Sequence, residues 1–484
     1  MKKISPAPDL RSILKKGITG GVADDVELAR RFNESYYHWE EMKYRVEDEG
    51  VRERVWSLMK VNRAVNSRHM CIGGVSCSFT LTPRILELLF DIERRLSGHL
   101  EYQGSEVGGE RMRYYSVSSF IEEAISSSIL EGAAVTRADA KRMIRKKQRP
   151  VTEGERMVMN NYMAMENIKK IKGERLSPEL IMDMHRAITD GTLKDGGEWE
   201  GRFRESDDVV VGDSLELEKV YHVPPPHKEI PKMMEGLCDF CNDDDGEFMH
   251  PLIKGVILHF MVGYIHPFVD GNGRLARSLF YWYSIKRGYW MMEYVAVSKI
   301  IRASSGKYGM AYQYAETDEN DLTYFVKFNL EALVRAVKEL EEHIESKMKE
   351  QKEAADFVSR NPQFTFRQAA ILKDYMKDGA PFSIAELQQR YRCAYQTARL
   401  EVMGLEAQGL VRRVAKDRKR VFYAVDSERV YEYAEKKERG KQRGDPDGVR
   451  PVGKEQTQKT LDDVAPAAAK GKGKGKGKGK GKDR

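Results

Sequence analysis

The most constraining feature of this 484-residue chain is one short polar stretch, which begins at His266 and ends at Arg277. It reads H-P-F-V-D-G-N-G-R-L-A-R. The run before it, residues 252–265, is apolar with helical spacing, and Pro267 ends that helix because the residue before a proline is pushed out of the α region. Helical spacing resumes at Leu275, so the sequence predicts a helix, a loop and a second helix.

The start of that second helix suits a bound polyphosphate. A helix start offers unpaired N–H groups and the positive end of a dipole, and Gly271 and Gly273 let the backbone approach a phosphate closely. Arg274 and Arg277 lie three residues apart on one helix face, so both guanidinium groups can point at one polyphosphate. This combination predicts an anion site at the loop.

Two further side chains of the stretch supply reactive groups. Asp270 is a hard oxygen ligand, suited to Mg²⁺ that is held jointly with phosphates. His266, when it is neutral, can accept a proton from a hydroxyl nucleophile. Together with the arginines, these groups are typical of phosphoryl or nucleotidyl transfer, in which catalysis is mostly positioning and charge neutralisation.

The same stretch resembles the signature of the Fic family, H-P-F-x-D-G-N-G-R-x-x-R, and it matches at all nine fixed positions. Proteins of this family typically transfer AMP from ATP to a Ser, Thr or Tyr hydroxyl of a protein. The resemblance implies that His266 is the general base, that Asp270 binds Mg²⁺, and that Phe268 anchors the loop in the core. It further implies that ATP and its phosphates are bound by Asp270, Gly271, Asn272, Gly273, Arg274, Leu275, Ala276 and Arg277. By position, Tyr308 resembles an aromatic residue that packs on adenine.

A second informative stretch covers residues 120–132 and reads F-I-E-E-A-I-S-S-S-I-L-E-G. Its apolar residues have helical spacing and Gly132 is a natural stop, so on its own it predicts a packed helix that ends in an exposed glutamate. Ser127-x-x-x-Glu131-Gly132 also resembles the inhibitory motif of Fic proteins, S/T-x-x-x-E-G/N. The resemblance implies that these three residues restrain the enzyme, with Glu131 ion-paired to Arg277 in place of the γ-phosphate.

Residues 207–223 interrupt the helical pattern. Two β-rich runs, 207–211 and 220–223, flank a turn at 212–214, which predicts a hairpin. Without the resemblance, the hairpin is interpreted as a segment that projects from the protein surface. In the Fic resemblance it is a flap beside the site, whose edge pairs with the backbone of the target protein as an added strand.

Two features resemble metal-binding patterns, but their apolar neighbours are typical of the hydrophobic core. His185 lies in an apolar helical stripe, so we expect a hydrogen-bonded core histidine rather than a ligand. Cys238 and Cys241 lie on one helical stripe with apolar neighbours, and a zinc site needs about four ligands, so we expect two buried thiols.

The C-terminal part has a different organisation. From residue 361 to 430 the pattern is three helices and a hairpin, which resembles a winged helix-turn-helix. DNA contact through residues 383–423 and protein docking both stay open, since winged helices serve either purpose. The candidate DNA-contacting side chains are Gln396, Thr397, Arg399, Arg412, Arg413, Lys416, Arg418, Lys419 and Arg420. The tail, 431–484, is Gly/Lys-rich and predicted to be disordered.

The composition limits the classes of protein to which this chain can belong. Charged residues make up 32% and no apolar run reaches the ~18 residues of a membrane span, so we expect a soluble protein without membrane contact. The net charge of +7 equals the seven lysines between 470 and 482, which leaves a near-neutral body. Five cysteines without an export signal suggest the cytoplasm.

The sequence therefore predicts a mainly α chain, a Fic-type helical bundle with a small β-hairpin flap and a C-terminal winged helix-turn-helix. The expected divisions are 1–80 (N-terminal helical region), 81–150 (helices with the inhibitory motif), 151–335 (Fic catalytic core), 336–360 (helical connector), 361–430 (winged helix-turn-helix) and 431–484 (tail).

The expected function is autoinhibited transfer of AMP from ATP, with Mg²⁺, to a Ser, Thr or Tyr hydroxyl of a protein, including the chain itself. Two alternatives stay open: removal of AMP at the same site, and a DNA-binding regulator whose Fic core senses nucleotide. Homodimerisation that buries or releases the Glu131 helix would be a simple form of control.

Overall fold

The fold is mainly helical, with small antiparallel sheets, as the sequence predicts. The computed structural model describes residues 3–16, 23–96, 101–102, 105–106, 109–194, 197–212, 220–243, 246–360, 364–376, 381–417, 420–426 and 429–430. The chain divides into two compact units, Met1–Lys349 and Glu350–Arg484. No helix of the described residues combines the length and the apolar character needed to cross a membrane.

The first unit begins with helices and one hairpin. Its first elements are α1 (Leu10–Lys16), α2 (Ala23–Ser35), α3 (Trp39–Met42), α4 (Glu49–Asn66), β1 (Ser67–Ile72), β2 (Val75–Thr80) and α5 (Pro83–Leu96). The prediction of a wholly helical region up to residue 80 is wrong for the hairpin. Gly73 and Gly74 both have positive φ, which makes the two-residue turn between β1 and β2.

Buried polar contacts attach this N-terminal region to the rest of the first unit. Lys60 Nζ donates to Asp318 at 2.8 Å. The Tyr36 hydroxyl donates to Asp321 at 2.6 Å, although the two residues are 285 positions apart. The region is therefore part of the same compact body as the signature.

The next helices and strands in chain order include those that carry the signature, and the last helix continues past Lys349, where the first unit ends. They are β3 (Glu101–Tyr102), β4 (Ser105–Glu106), α6 (Gly109–Leu130), α7 (Arg137–Lys146), α8 (Glu153–Ile171), α9 (Pro178–Thr189), β5 (Val211–Gly212), β6 (Val220–His222), α10 (Ile230–Asn242), α11 (Pro251–Ile265), α12 (Asn272–Lys286), α13 (Val297–Ala303), α14 (Ser305–Thr317) and α15 (Thr323–Arg360). Short 3₁₀ turns cover His227–Glu229 and Trp290–Tyr294. Helix α11 is buried along most of its length, which explains its unbroken apolar sequence.

Helix starts follow the expected side chains. Thr136, Thr152 and Ser177 each cap a helix, because the hydroxyl accepts a hydrogen bond from the N–H three residues later. Pro251 occupies the first turn of α11, where its missing N–H costs nothing. Both cysteines of α10, Cys238 and Cys241, are buried, as predicted.

Two boundaries differ from the sequence prediction. Strand pairing in the flap covers only Val211–Gly212 and Val220–His222, so residues 207–210 lie outside it; residues 213–219 are outside the described part. Asp207 instead accepts hydrogen bonds from the Arg204 guanidinium and the His227 N–H. The expected connector, 336–360, is the second part of α15, a single helix that begins at Thr323.

The second unit has its own hydrophobic core, and its short first strand lies between helices in the chain order. Its elements are α16 (Phe366–Met376), β7 (Phe382–Ser383), α17 (Ile384–Arg390), α18 (Tyr395–Ala407), β8 (Val411–Asp417) and β9 (Arg420–Val425). The three strands form an antiparallel sheet in the order β7-β9-β8. Leu372, Phe382 and Leu405 are buried at its centre. The predictions for Arg418, Lys419 and the tail lie outside the described residues.

Candidate active site

His266 ends α11 in a left-handed conformation, with φ 49° and ψ 58°. Its Nδ1 lies 3.3 Å from the carbonyl oxygen of Gly263, and since a carbonyl can only accept, Nδ1 carries the proton. The other ring nitrogen, Nε2, then keeps its lone pair. Burial lowers the pKa of His266 to about 4, so the imidazole is neutral at pH 7 and can accept a proton.

The loop after His266 is held from within by one amide side chain. Asn272 Nδ2 donates to the Phe268 carbonyl at 2.8 Å, and the Phe268 N–H donates to Asn272 Oδ1 at 3.0 Å. The Asn272 side chain is therefore committed to the loop, which corrects its expected role as a phosphate ligand; only its backbone N–H remains for that role. Gly271 has φ +82°, and a Cβ there would lie 2.7 Å from Thr189 Cγ2.

His185 on α9 contacts the same loop through a hydrogen bond and a ring stack. Its Nδ1 accepts a hydrogen bond from the Gly201 N–H at 3.0 Å, and Nε2 donates to the Asp270 carbonyl at 2.8 Å. The ring stacks on Phe268 with centroids 3.7 Å apart. Burial lowers the pKa of His185 to about 4. The prediction of a core histidine is confirmed, and its contact with the loop is what the sequence did not reveal.

Buried guanidinium groups line the start of α12. Arg274 is fully buried and donates to the Ile188 carbonyl at 3.1 Å. Among the described residues, Arg274 Nε and Nη2 and Arg277 Nη1 are buried without a hydrogen-bond partner. An unsatisfied buried donor costs about 1–3 kcal/mol, and more when it is charged. A polyphosphate at this helix start would accept hydrogen bonds from these donors.

Two residues of the expected phosphate-binding set belong to the core instead. Leu275 and Ala276 are at most 1% exposed and pack in the main hydrophobic cluster. The Leu275 N–H donates to the Gly271 carbonyl at 3.0 Å. Their side chains are thus unavailable to phosphate, and their place in the nucleotide site stays a prediction. The backbone donors of the first helical turn are those of Asn272, Gly273 and Arg274, which have no acceptor within the helix.

Glu131 lies at this helix start. Its Oε1 accepts a hydrogen bond from Arg277 Nη2 at 2.8 Å, which is the ion pair that the resemblance implies. Arg277 also donates to the Ser127 hydroxyl at 2.9 Å and to the Ser127 carbonyl at 3.0 Å. A Cβ on Gly273 would overlap the Glu131 carboxylate. Gly132, with φ +90°, lets the chain turn away directly after this glutamate.

Asp270 presents an exposed carboxylate beside the buried arginines. Its side chain is 60% exposed, and its Oδ2 lies 4.0 Å from Arg274 Nη2. The described residues contain no group of three or more His, Cys, Asp or Glu that could enclose a metal ion. Mg²⁺ needs only one or two carboxylates when phosphates supply other ligands, so the donor set fits that ion.

Tyr308 on α14 is part of an aromatic cluster. Its hydroxyl lies 2.8 Å from Nε2 of His259, and its ring packs edge-to-face on Tyr312. These contacts hold the polar end of Tyr308 inside the first unit. Its contact with adenine stays a prediction.

Sequence reasoning missed Arg204, which joins the flap to the catalytic loop. Its Nε donates to the His266 carbonyl at 3.0 Å, and its N–H donates to the Pro267 carbonyl at 2.9 Å. Its Nη1 donates to the Ser206 carbonyl at 2.7 Å. Arg204 is 2% exposed, yet an arginine close to other charged residues, here Arg202 and Glu205, is ordinarily interpreted as surface charge in a sequence.

His222 on β6 makes a second connection near His266. Its Nε2 donates to the Tyr264 carbonyl at 2.7 Å, and its Nδ1 lies 2.9 Å from a carboxylate oxygen of Glu316. His222 thus attaches β6 to the end of α11, two residues before the candidate base.

Sequence comparison matches part of this chain to a known family. Residues 175–284 match the model of the Fic/DOC family. A "Protein adenylyltransferase Fic" from Nematostella vectensis is 36% identical over 109 residues, which is 22% of this chain and 22% of that protein. Another from Drosophila persimilis is 27% identical over 204 residues, which is 40% of this chain and 38% of that protein. The matches thus span about a fifth to two fifths of these relatives' length.

Among solved structures, a Fic family protein from Desulfovibrio desulfuricans G20 aligns with a TM-score of 0.46 and 22% identity, covering 72% of this chain and 97% of that one. The family-model match covers the helix before the flap, the flap, the signature loop and α12. The similarity to the Fic/DOC family is thus located in residues 175–284, the part of the chain that holds the signature loop.

Proposed function

We propose that the chain transfers AMP from ATP to a hydroxyl group of a protein, and that Glu131 restrains this reaction. The observation that carries the proposal is the set of buried, unpartnered guanidinium donors at the start of α12, beside a neutral His266. A triphosphate supplies the acceptors that these donors lack. The names of the curated relatives support the reaction class, although they share only part of their length with this chain.

The residues divide the chemistry between them. Nε2 of His266 accepts the proton of the attacking Ser, Thr or Tyr hydroxyl, whose oxygen forms a bond to the α-phosphorus. The bond from that phosphorus to its bridging oxygen breaks, and pyrophosphate leaves. Arg274 and Arg277 stabilise negative charge on the outer phosphates. Asp270 would hold Mg²⁺ jointly with the phosphates, and the ion would add further charge neutralisation.

Glu131 competes with the nucleotide in this proposal. Its carboxylate pairs with Arg277 and covers Gly273, where an outer phosphate would bind. A phosphate and a carboxylate cannot share these donors, because like charges repel at such distances. Transfer therefore requires Glu131 to move away or to be removed.

The flap supports protein rather than small-molecule acceptors. Its strand Val220–His222 pairs with Val211–Gly212 and is bonded to the end of α11, because His222 Nε2 donates to the Tyr264 carbonyl two residues before His266. An exposed strand edge can accept an extended peptide segment, which would bring a hydroxyl to the base.

The test uses the full-length chain and ATP labelled at either the α- or the γ-phosphate, with Mg²⁺. We expect transfer of the α-label to protein with Glu131→Gly, little with the wild type, and none with Glu131→Gly/His266→Ala. His69→Ala, at an exposed histidine on β1, is the matched control and should leave transfer in the Glu131→Gly chain unchanged. Transfer of the γ-label would instead identify a kinase and contradict the proposal.

Removal of AMP is a second candidate reaction for the same site. Glu131 keeps 27% of its side chain exposed while Arg277 holds one of its oxygens, so the carboxylate can also orient a water molecule. Incubation of AMP-modified chain with wild type and with Glu131→Ala separates the two roles. Loss of AMP release in Glu131→Ala supports removal, and unchanged release excludes a catalytic Glu131.

We further infer that the second unit is a winged helix-turn-helix, from its order of three helices and three antiparallel strands. The exposed face of α18 carries Gln396 and Arg399, but also Leu400, which is 67% exposed, and Met403. Because this face carries both polar and apolar side chains, it could contact either DNA or a protein. Binding of duplex DNA that falls steeply with salt and weakens in Arg399→Ala would select DNA; binding that never exceeds that of a bulk polyanion would exclude it.

A further inference from the structure

Contacts between α6 and α12 repeat at four-residue intervals on both helices. Glu123 meets Tyr281, Ser127 meets Arg277, and Glu131 lies over Gly273 while it also pairs with Arg277. The positions rise along α6 and fall along α12, so the two helices run antiparallel here. We call this set of contacts the α6–α12 ladder.

Glu123 is the most deeply buried acidic residue of the ladder, with 1% exposure. Its Oε2 accepts hydrogen bonds from the Tyr281 hydroxyl and from the Ser298 N–H, both at 2.8 Å. Its Oε1 accepts a bond from the Ser298 hydroxyl. One carboxyl group thus joins α6 to α12 and to the first turn of α13.

These bonds fix the position of α6 along its own axis. Glu123 lies eight residues before Glu131, a distance of about 12 Å at 1.5 Å per residue. A slip of one helical turn would move both residues by about 5.4 Å. It would leave the buried N–H and hydroxyl of Ser298 without an acceptor, which makes such a slip unfavourable. The Tyr281 hydroxyl would keep only its bond to the Val295 carbonyl.

We propose that Glu123 is the positioning residue of the inhibitory helix: by holding α6 in register, it delivers Glu131 to Arg277 and Gly273. Glu123 lies four residues before the motif that begins at Ser127, and its hydrogen bonds go to Tyr281 and Ser298 rather than to Arg277. The proposal rests on the proposed function, in which Glu131 restrains AMP transfer.

The chain offers a matched control at the adjacent residue. Glu122 is also a buried carboxylate on α6, but its partners Arg137 and Lys141 lie on α7. Removal of Glu122 therefore leaves the ladder intact. Glu123→Gln is the conservative variant, because its amide oxygen can still accept from Tyr281 and Ser298 while its NH₂ donates to the Ser298 hydroxyl.

The experiment measures transfer of α-labelled AMP to the full-length chain. We expect Glu123→Ala to raise transfer by about 5- to 30-fold over wild type, the factor that corresponds to one or two lost buried hydrogen bonds. Glu122→Ala and Glu123→Gln should stay near the wild-type rate. In the Glu131→Gly background, Glu123→Ala should change the rate by less than about twofold, since the group that it positions is gone.

The outcomes separate this proposal from the one that it rests on. If Glu131→Gly itself transfers no AMP, the proposed function fails. If Glu131→Gly is active and Glu123→Ala matches wild type, Glu123 does not position the inhibitor. Loss of activity in Glu123→Ala/Glu131→Gly would show a merely structural role. Should Glu123→Ala not fold, Ser298→Ala removes one donor from the same carboxylate and must raise transfer, or the proposal is overturned.

Discussion

The carboxylate of Glu131 occupies the space that a side chain on Gly273 would need. Gly273 has no positive φ, so its backbone conformation does not require glycine. Glycine is needed at this position because an anion, either a carboxylate or a phosphate, comes close to the first turn of α12.

Gly273→Ala should therefore not behave like removal of Glu131. In the Glu131→Gly background we expect Gly273→Ala to lower AMP transfer by about tenfold or more, since the new methyl group intrudes where a phosphate approaches the backbone. Gly306→Ala is the control, because a Cβ there meets nothing within 4 Å. Equal rates for the two alanine variants would show that no anion binds over Gly273.

The pH dependence of transfer should follow the neutral state of His266. Burial lowers the pKa of this imidazole to about 4, so the group keeps its lone pair at pH 7 and loses it only as the pH falls through that value. Initial rates of Glu131→Gly should be nearly constant from pH 8 down to about 5.5 and fall below that range. A decline centred near the ordinary value of 6.5 would contradict a desolvated base.

Asp270 should carry the dependence on Mg²⁺. Asp270→Ala in the Glu131→Gly background is expected to lower transfer by about 100-fold and to raise the Mg²⁺ concentration needed for half-maximal rate. Chelation of the metal should stop transfer in the parent chain. Asp183→Ala removes an exposed carboxylate of α9 that pairs with Arg186 and serves as the control. An unchanged Mg²⁺ titration in Asp270→Ala would exclude this carboxylate as the ligand.

Arg204 should affect turnover more than nucleotide binding. Its bonds to the His266 and Pro267 carbonyls position the base, and a misplacement of about 1 Å can lower a rate by about 100-fold. We expect Arg204→Lys to lower kcat in the Glu131→Gly chain with little change in the KM for ATP. Arg202→Ala, at an exposed neighbour, should change neither. A rise in KM alone would place Arg204 in substrate binding instead.

The helical part of the fold was predictable where local signals were strong. The capping residues Thr136 and Ser177 and the stop at Gly132 mark helix ends through bonds within a few residues. The hairpin at 67–80 was missed because its period-two pattern follows directly on a long helix. The flap strands were predicted too long because Asp207 is held by Arg204 and His227, and neither contact is local in sequence.

The chemical groups of the site are readable from the residues alone, since the imidazole, the carboxylate, the glycines and the arginines lie within one loop and one helical turn. Which of these groups are free depends on how distant parts of the chain pack together. Asn272 is committed to Phe268, Leu275 and Ala276 are in the core, and buried donors of Arg274 and Arg277 remain unpaired. Burial and hydrogen bonding depend on packing between residues far apart in the chain, such as Arg274 and Ile188, and no local pattern records that packing.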